Sequence, residues 1–227
     1  LAASLARESV ADTTFDPSYM DRQPHINGKM RVILVDWLMT LTRFFPSPTL
    51  WLAANLVDRF LEHNQVSRKK FQLLGVTAMV IASKCNPGKR DPLTVGTAAF
   101  HCDKAYTERE VLMMECTLME KLDYKLPFIP NAAIFLSGVS AFDDVPSGVM
   151  PLSNMVLDVA LHSTDLLGHA QSKLAAASLA VARRSLGHSP WSATLEEAMG
   201  YSERDLSPVA TAIVACKASI PTTEVGL

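Results

Sequence analysis

The residue types best suited to catalysis or metal binding are scattered along this chain. Six histidines occur, and none belongs to an H-E-x-x-H pair that would place two imidazoles on one side of a helix. The run His101-Cys102-Asp103 offers three ligand types, but adjacent residues at a helix end point in different directions, so we interpret it as a turn. No G-x-S-x-G element or Cys–His arrangement indicates a nucleophile. The sequence therefore predicts a protein without catalytic residues, metal ligands or a cofactor.

Two short runs contain residues that often bind phosphate groups. The run Asn86-Pro87-Gly88-Lys89-Arg90 lacks the G-x-x-x-x-G-K-[ST] frame of a phosphate loop, and it is typical of a turn that ends a helix. The basic run Arg68-Lys69-Lys70 has no accompanying aromatic residues, which favours a solvated first turn of a helix. Because the formal net charge is −2, the chain has no general attraction for nucleic acid. We therefore expect no nucleic-acid partner.

The composition is that of a globular protein with a large core. Apolar residues make up 48% of the 227 residues and charged residues 19%, which suits one large domain or two smaller ones. Charges interrupt every apolar window before it reaches the roughly 18 residues of a membrane span, so we expect no membrane association. The four cysteines form no C-x-x-C pair, and we interpret them as reduced thiols of an intracellular protein.

Apolar residues recur with helical spacing along most of the chain, and no useful segment alternates with period two. This pattern predicts an all-α fold. A short outer helix is expected within residues 1–15, and the next five helices are expected to begin near residue 29, after Thr49, after Ser67, near Thr94 and after Thr107. The second half is predicted to contain helices over residues 131–142, 151–167, 171–186, 194–199 and 207–219.

Capping signals and small residues relate the two halves of the chain. The run Thr107-Glu108-Arg109-Glu110 is a capping box, and Ser202-Glu203-Arg204-Asp205 resembles one. The third helix of each half has a middle rich in small residues, which lets neighbouring helices approach closely. The halves align at an offset of about 95 to 102 residues, which predicts two tandem five-helix repeats. We expect a lead-in over residues 1–28 and repeats over residues 29–127 and 128–227.

The segment 30–41 is the most apolar of the predicted helices. One face follows the i, i+3, i+4, i+7 spacing of an amphipathic helix with Met30, Ile33, Leu34, Trp37, Leu38 and Leu41. The opposite face is also partly apolar, which is typical of a helix in the middle of a domain. Its polar residues are Arg31, Asp36 and Thr40. A charge in such a helix has to be paired or reach solvent, because burying an unpaired charge is costly.

This segment carries a resemblance to a known family. Residues 30–38 read M-R-V-I-L-V-D-W-L and are similar to the cyclin-box signature M-R-A-I-L-V-D-W-L, from which only Val32 differs. Other matching runs are Tyr19-Met20, Gln23-Pro24, Val57-Asp58-Arg59-Phe60-Leu61, Phe71-Gln72-Leu73-Leu74-Gly75, Ala82-Ser83-Lys84, Val111-Leu112-Met113-Met114-Glu115 and Leu122-Asp123-Tyr124-Lys125-Leu126. The chain is thus identified as a member of the cyclin family, of the mitotic A/B type. The match is looser in the second half.

The resemblance implies a non-catalytic regulatory subunit of a cyclin-dependent kinase that acts in cell division at G2/M, in the nucleus and cytoplasm. Cyclins hold the mobile C helix of the kinase inward, and in this position the Lys–Glu ion pair of the kinase is formed. By this resemblance Lys84 and Glu115 are the pair that hydrogen-bonds the kinase near that helix. Met114, Tyr124 and Cys85 match apolar contacts around the pair.

A second site is implied by the same resemblance. The cyclin patch that docks Arg-x-Leu-type motifs of substrates and inhibitors corresponds to Met30, Ile33, Leu34, Trp37, Thr40, Phe71 and Gln72. One stripe of the helix would then pack inward while another forms a groove. Arg31 and Asp58 match a buried structural ion pair of the family.

The chain departs from the family pattern at three places. Asn86-Pro87 stand near the position of two glutamates that often follow Lys84, which puts one kinase contact in doubt. Thr40 replaces a usual acidic residue of the patch, so docking of basic motifs should be weaker or differently selective. Phe71 is bulkier than the usual leucine and should narrow the groove.

Two other classes of protein remain as alternatives. Transcription factor IIB and its relatives bind DNA through two cyclin-like repeats, but the net charge of −2, the absence of a zinc-ribbon pattern and of a basic helix in the second half argue against this class. A catalytic helical protein would need converging carboxylates or histidines, which the sequence does not indicate.

Overall fold

The computed structural model describes residues 16–41, 45–86, 91–124, 131–139 and 144–219. Within these ranges it contains ten α-helices, two short 3-10 helices and no strand, which confirms the all-α prediction of two five-helix repeats. The first five helices are α1 (Gly28–Leu41), α2 (Ser47–His63), α3 (Arg68–Cys85), α4 (Val95–His101) and α5 (Glu108–Lys121). The second five are α6 (Ala132–Val139), α7 (Val149–Ala160), α8 (Gln171–Ser185), α9 (Ala193–Met199) and α10 (Glu203–Ser219).

Some of the predictions fall outside the described ranges. They include the outer helix of residues 1–15, the turn at residues 87–90, the end of the helix predicted over residues 131–142, and the boundary between residues 127 and 128. The described part of the lead-in begins with a 3-10 helix, Pro17–Arg22, whose first turn is capped by the Asp16 carboxylate. None of the helices in the described ranges combines the length and the apolarity that a membrane-spanning segment requires.

The third helix of each repeat lies at the centre of that repeat. α3 packs against α1, α2, α4 and α5, and α8 packs against α6, α7 and α10. Gly75 allows α1 and α3 to approach closely, because a Cβ atom at this position would lie 2.6 Å from Leu34 Cδ1. In α8 the residues from Ala175 to Ala180 are all buried. The prediction that small residues in these two helices permit close packing is confirmed.

The capping predictions are partly right. Thr107 and Glu110 form both bonds of the capping box that starts α5. Ser202 and Asp205 also bond to each other's backbone N–H groups, at 3.0 and 3.3 Å. Because these bonds satisfy the first turn, α10 begins at Glu203 and not at residue 207, and Pro208 lies inside the helix.

For two helices, the predicted side-chain cap is wrong. α2 begins at Ser47 with Pro46 in the capping position, so Thr49 is not the cap. Thr49 is buried instead, and its hydroxyl donates to the Asn86 carbonyl at 2.8 Å. Ser67 does precede α3, but its side chain makes no capping hydrogen bond.

The helix predicted over residues 151–167 is interrupted. α7 ends at Ala160, and a 3-10 helix, Asp165–Gly168, follows after a short turn. The amides of Leu161 and His162 donate to carbonyls three residues earlier, which tightens the end of the helix. This turn leaves the Leu161 carbonyl available to a side chain of the first repeat.

Partly buried polar contacts join the two repeats. The Asp158 carboxylate of α7 accepts hydrogen bonds from Ser47 and Trp51 of α2, each at 3.1 Å. Burial raises the pKa of Asp158, and these two donors oppose that shift. His162 Nε2 lies 2.6 Å from the Asp36 carboxylate of α1. The first repeat is thus fixed to the second through the end of α7.

Candidate functional site

Arg31 and Asp58 form a buried ion pair between α1 and α2. Arg31 Nε and Nη2 lie 2.8 and 2.7 Å from the two carboxylate oxygens of Asp58, and both side chains are 1% exposed. Burial opposes the charge of Arg31, but the neighbouring Asp58 carboxylate more than offsets this effect and raises the pKa of the guanidinium. The remaining Nη1 donates to the Leu161 carbonyl of the second repeat at 2.5 Å.

The Tyr19 side chain connects the lead-in segment to the Arg31–Asp58 ion pair. Its hydroxyl donates to Asp58 Oδ1 at 2.6 Å, and the side chain is fully buried. Burial and the Asp58 carboxylate together raise the pKa of this phenol, so Tyr19 stays neutral. One carboxylate and one guanidinium therefore connect the lead-in, α1, α2 and the second repeat. Because solvent does not reach them, their role is structural.

Lys84 and Glu115 form a second ion pair, at the surface. Lys84 lies in the last turn of α3 and Glu115 in the middle of α5, and their charged atoms are 2.5 Å apart. The Lys84 side chain is 49% exposed and that of Glu115 17%, so a binding partner can reach both. Ser83 fixes this end of α3, because its buried hydroxyl donates to the Val80 carbonyl and accepts from the Leu93 amide.

Apolar side chains lie on the same helix as Glu115. α5 buries Val111 and Leu118 against the core, and the half-buried Met114 and Met119 also pack against it. Leu112 and Met113 are exposed. We call the surface formed by Lys84, Cys85, Leu112, Met113, Met114, Glu115 and Tyr124 the α3–α5 surface. A charged pair among exposed apolar groups has the composition of a protein-binding surface.

Cys85 and Tyr124 lie at the edges of the α3–α5 surface. Both are exposed. Partial burial of the thiol raises the pKa of Cys85, and Lys84 opposes the shift, so the neutral thiol is favoured over a nucleophilic thiolate. Asp123 and Tyr124 adopt positive φ angles of 51° and 56° in the turn after α5. A pair of positive φ angles also occurs at Asp103 and Lys104 after α4, so two helices of the first repeat end in this way.

A groove of about 350 Å³ lies between α1 and α3. It is lined by six of the residues predicted for a docking patch, Met30, Ile33, Leu34, Trp37, Phe71 and Gln72, together with Arg68. Leu34 and Phe71 form its buried floor, and Ile33 is 67% exposed at its rim. We call this feature the α1–α3 groove. It explains why α1 is apolar on more than one side: Leu38 and Val35 face the core while Ile33 and Trp37 face the groove.

The lining of the α1–α3 groove differs from the prediction at two residues, one that is absent and one that is added. Thr40, assigned to the patch, does not line the groove; its hydroxyl donates to the Trp37 carbonyl one turn earlier, at 2.7 Å. Arg68 lines the groove although its basic run was interpreted as a solvated first turn. Its spacing of three and four residues before Phe71 and Gln72 places it on the same side of α3, and this spacing was the available signal.

The candidate metal-binding run has the predicted turn geometry. His101-Cys102-Asp103 ends α4, with Cys102 buried and Asp103 at a positive φ. Burial raises the pKa of the Cys102 thiol to about 11. Among the residues that the structure describes, no three His, Cys, Asp or Glu side chains are grouped to hold a metal ion.

The sequence matches the family descriptions "Cyclin, N-terminal domain" over residues 3–127 and "Cyclin, C-terminal domain" over residues 130–225. The chain therefore belongs to the cyclin family. The G2/mitotic-specific cyclin-B of Emericella nidulans is 37% identical over 207 residues, which are 89% of this chain and 42% of the relative. The prediction of a mitotic-type cyclin is confirmed. This chain spans less than half the length of that relative.

Solved structures support the same fold. A viral cyclin from herpesvirus saimiri superposes with a TM-score of 0.83 at 18% identity, covering 96% of each chain. A chain of the yeast RNA polymerase II CTD kinase complex CTDK-1 superposes with a TM-score of 0.65 at 15% identity, covering 94% of this chain and 70% of that chain. At these identities the likeness shows the shared arrangement of helices.

Proposed function

We propose that this chain is the activating regulatory subunit of a cyclin-dependent kinase and binds the kinase through the α3–α5 surface. The observation that carries the proposal is the Lys84–Glu115 pair, which shares helix α5 with the exposed apolar side chains of Leu112 and Met113. The pair supplies directed hydrogen bonds, and Leu112, Met113 and Tyr124 supply apolar area. This combination suits a partner helix with both apolar and polar groups.

The proposed mechanism is a shift between two kinase conformations. The chain contributes no reacting group; it binds the kinase more tightly when the C helix of the kinase lies inward. Moving an equilibrium from mostly inactive to mostly active takes a preference of roughly 10⁴-fold. A rigid surface suits this task, and α3, which provides Lys84, is buried from Phe71 to Ser83 except at Gln72.

The relatives support the proposed kinase partner and cell-cycle phase, and the proposed location in the nucleus and cytoplasm rests on the resemblance to cyclins. The name of the Emericella nidulans protein assigns it to G2 and mitosis, and the CTDK-1 chain comes from a kinase complex. We extend both to this chain, with action at G2/M in the nucleus and cytoplasm. The proposal is tested by whether the purified chain raises the activity of a purified cyclin-dependent kinase and whether changes in the α3–α5 surface remove that effect.

We further propose that the α1–α3 groove recruits substrates and inhibitors through short motifs of the Arg-x-Leu class. Its buried floor of Leu34 and Phe71 and its wall of Trp37 can take up apolar side chains of an extended peptide. The groove lies on another part of the first repeat than Lys84 and Glu115, so docking and activation should be separable.

Replacing Trp37 by alanine tests the docking role. Trp37→Ala removes one wall of the groove, and we expect phosphorylation of a substrate with a docking motif to fall by roughly tenfold, because a buried aromatic contact contributes about 1–3 kcal/mol. Phosphorylation of a short peptide without a docking motif should stay unchanged. The measurement is kcat/KM for both substrates with the same kinase.

A control separates docking from folding. Met155 of α7 is also a large exposed apolar residue, and it lies outside the groove. Met155→Ala should leave both substrates unaffected. A Trp37→Ala variant that is folded by circular dichroism and affects both substrates equally would contradict the docking role.

A further inference from the structure

We propose, on the basis of the proposed kinase-binding function, that the hydroxyl groups of Thr49 and Ser83 are positioning groups that hold Lys84 in place for the kinase. Both side chains are fully buried, so neither hydroxyl contacts a binding partner. Both bond instead to the main chain around the last turn of α3. They therefore affect kinase binding only through the position of that turn and of Lys84 within it.

Lys84 lies in the part of α3 that its own helix holds least. It is the next-to-last residue of the helix. The last four carbonyls of an α-helix have no partner within the helix, and helix ends fray for this reason. The Lys84 side chain is 49% exposed, so packing of the side chain does little to fix the residue. The contacts of the neighbouring main chain then determine how often Lys84 is in place.

Ser83 joins the last turn of α3 to the chain that follows it. Its hydroxyl donates to the Val80 carbonyl at 2.8 Å and accepts from the Leu93 amide at 2.9 Å. The first bond lies within the helix, as is common for serine, but the second reaches ten residues further along the chain. Leu93 is itself buried in the core. Ser83 thus connects the residue before Lys84 to a point that the core fixes.

Thr49 joins the end of α3 to α2. Its hydroxyl donates to the Asn86 carbonyl at 2.8 Å. The Asn86 amide donates to the Ala82 carbonyl at 2.9 Å and closes the last turn of the helix. Asn86 is therefore held by its amide and by its carbonyl, and Lys84 lies within the turn that these two bonds complete.

The start of α2, from which Thr49 reaches α3, is in turn held by the second repeat. The Asp158 carboxylate of α7 accepts from two side chains of this segment. The Asn131 side-chain amide, directly before α6, donates to the Pro48 carbonyl at 3.3 Å. The second repeat provides no residue of the α3–α5 surface, but through Thr49 it supports the turn that carries Lys84.

Loss of either hydroxyl should weaken kinase binding without changing the activity of the complex. A frayed last turn lowers the fraction of chains with Lys84 in place, and the apparent affinity falls by the same factor. One hydrogen bond of this kind corresponds to roughly twofold to tenfold in an equilibrium constant. Once the kinase is saturated, the turn is formed in every complex, so the plateau of activity should stay unchanged.

The experiment compares Thr49→Val, which keeps the shape of the side chain, and Ser83→Ala with the unsubstituted chain. Surface plasmon resonance measures the dissociation constant of each whole chain for a purified cyclin-dependent kinase, and histone phosphorylation measures the plateau. We expect each variant to bind roughly twofold to tenfold more weakly with the same plateau. Hydrogen exchange of the Asn86 amide in the free chain should become faster in both variants.

Two controls separate positioning from general stability. Thr49→Ser keeps a hydroxyl and should bind like the unsubstituted chain. Ser153→Ala removes a fully buried hydroxyl of α7 that donates to the Val149 carbonyl at 2.7 Å, and it should leave the dissociation constant unchanged.

Two results would overturn the positioning role in variants that circular dichroism shows to be folded. One is an unchanged dissociation constant in both Thr49→Val and Ser83→Ala, and the other is an equal loss of affinity in Ser153→Ala. In either case an unsubstituted chain that binds the kinase would leave the proposed function intact. An unsubstituted chain that does not bind the kinase would overturn the proposed function and this inference with it.

Discussion

A chain in which Lys84 and Glu115 are both replaced by alanine should fold normally and fail to activate its kinase. The two side chains are the charged groups of the α3–α5 surface, and they contact each other directly. Without them the kinase helix would meet only the apolar groups around the pair, so the hydrogen bonds that fix its position would be lost. We expect histone phosphorylation to fall to the level of the kinase alone.

Stability should change little in this double variant. Lys84 is about half exposed, and surface ion pairs contribute about 0–1 kcal/mol to the free energy of unfolding. Because both residues are replaced, no Glu115 carboxylate remains, at 17% exposure, without a positively charged partner. Circular dichroism and urea unfolding would establish that the variant is folded.

The second repeat offers a matched control. Arg184 and Glu203 form a surface ion pair at 2.7 Å between α8 and α10. Replacing both by alanine removes the same number of charges of each sign, and we expect full activation of the kinase. Normal activation by the Lys84→Ala, Glu115→Ala variant would contradict the assignment of the kinase-binding surface.

The largest loss of stability is expected from Arg31→Ala. The substitution leaves the Asp58 carboxylate charged, buried and without its guanidinium partner, and it removes the donor to the Leu161 carbonyl. Breaking one side of a buried pair costs about 3–5 kcal/mol. Since domains are stable by only about 5–15 kcal/mol, this is a large fraction of the total. Thermal and urea unfolding would measure it.

Two further variants make this prediction specific. Arg22→Ala breaks an exposed ion pair with Asp16 and should leave the free energy of unfolding nearly unchanged. Replacing Arg31 by methionine together with Asp58 by leucine should be less destabilising than Arg31→Ala, because no buried charge is left alone. An Arg31→Ala variant as stable as Arg22→Ala would show that Arg31 is not the junction between the lead-in, α1, α2 and the second repeat.

Local sequence patterns determine much of this fold. The spacing of apolar residues, together with capping and proline signals, predicted a helix at each of the ten helices in the described ranges, and the Thr107–Glu110 capping box defined the start of α5 correctly. Gly75 and the alanines of α8 indicated close packing because small side chains have that effect in any helix. These features depend on residues near each other in the chain, which is why sequence reasoning could find them.

The features that were missed depend on distant contacts. The break after Ala160 provides the Leu161 carbonyl to Arg31, 130 residues earlier, and no local pattern marks that residue as an acceptor. The same applies to His162 and Asp36. Arg68 was assigned to solvent because a basic run at a helix start is usually solvated, whereas the position of α1 beside α3 makes it part of a groove. The site residues on α1 were predicted by resemblance to cyclins and not by spacing alone.

The central claim is that this chain binds and activates a cyclin-dependent kinase. The most direct test is to titrate a purified mitotic cyclin-dependent kinase with the purified chain and to measure histone phosphorylation. We predict that activity rises from the baseline of the kinase alone to a plateau that is reached when chain and kinase are equimolar. A folded chain that leaves the activity at baseline at every concentration, and that does not co-elute with the kinase in gel filtration, would contradict the proposed function.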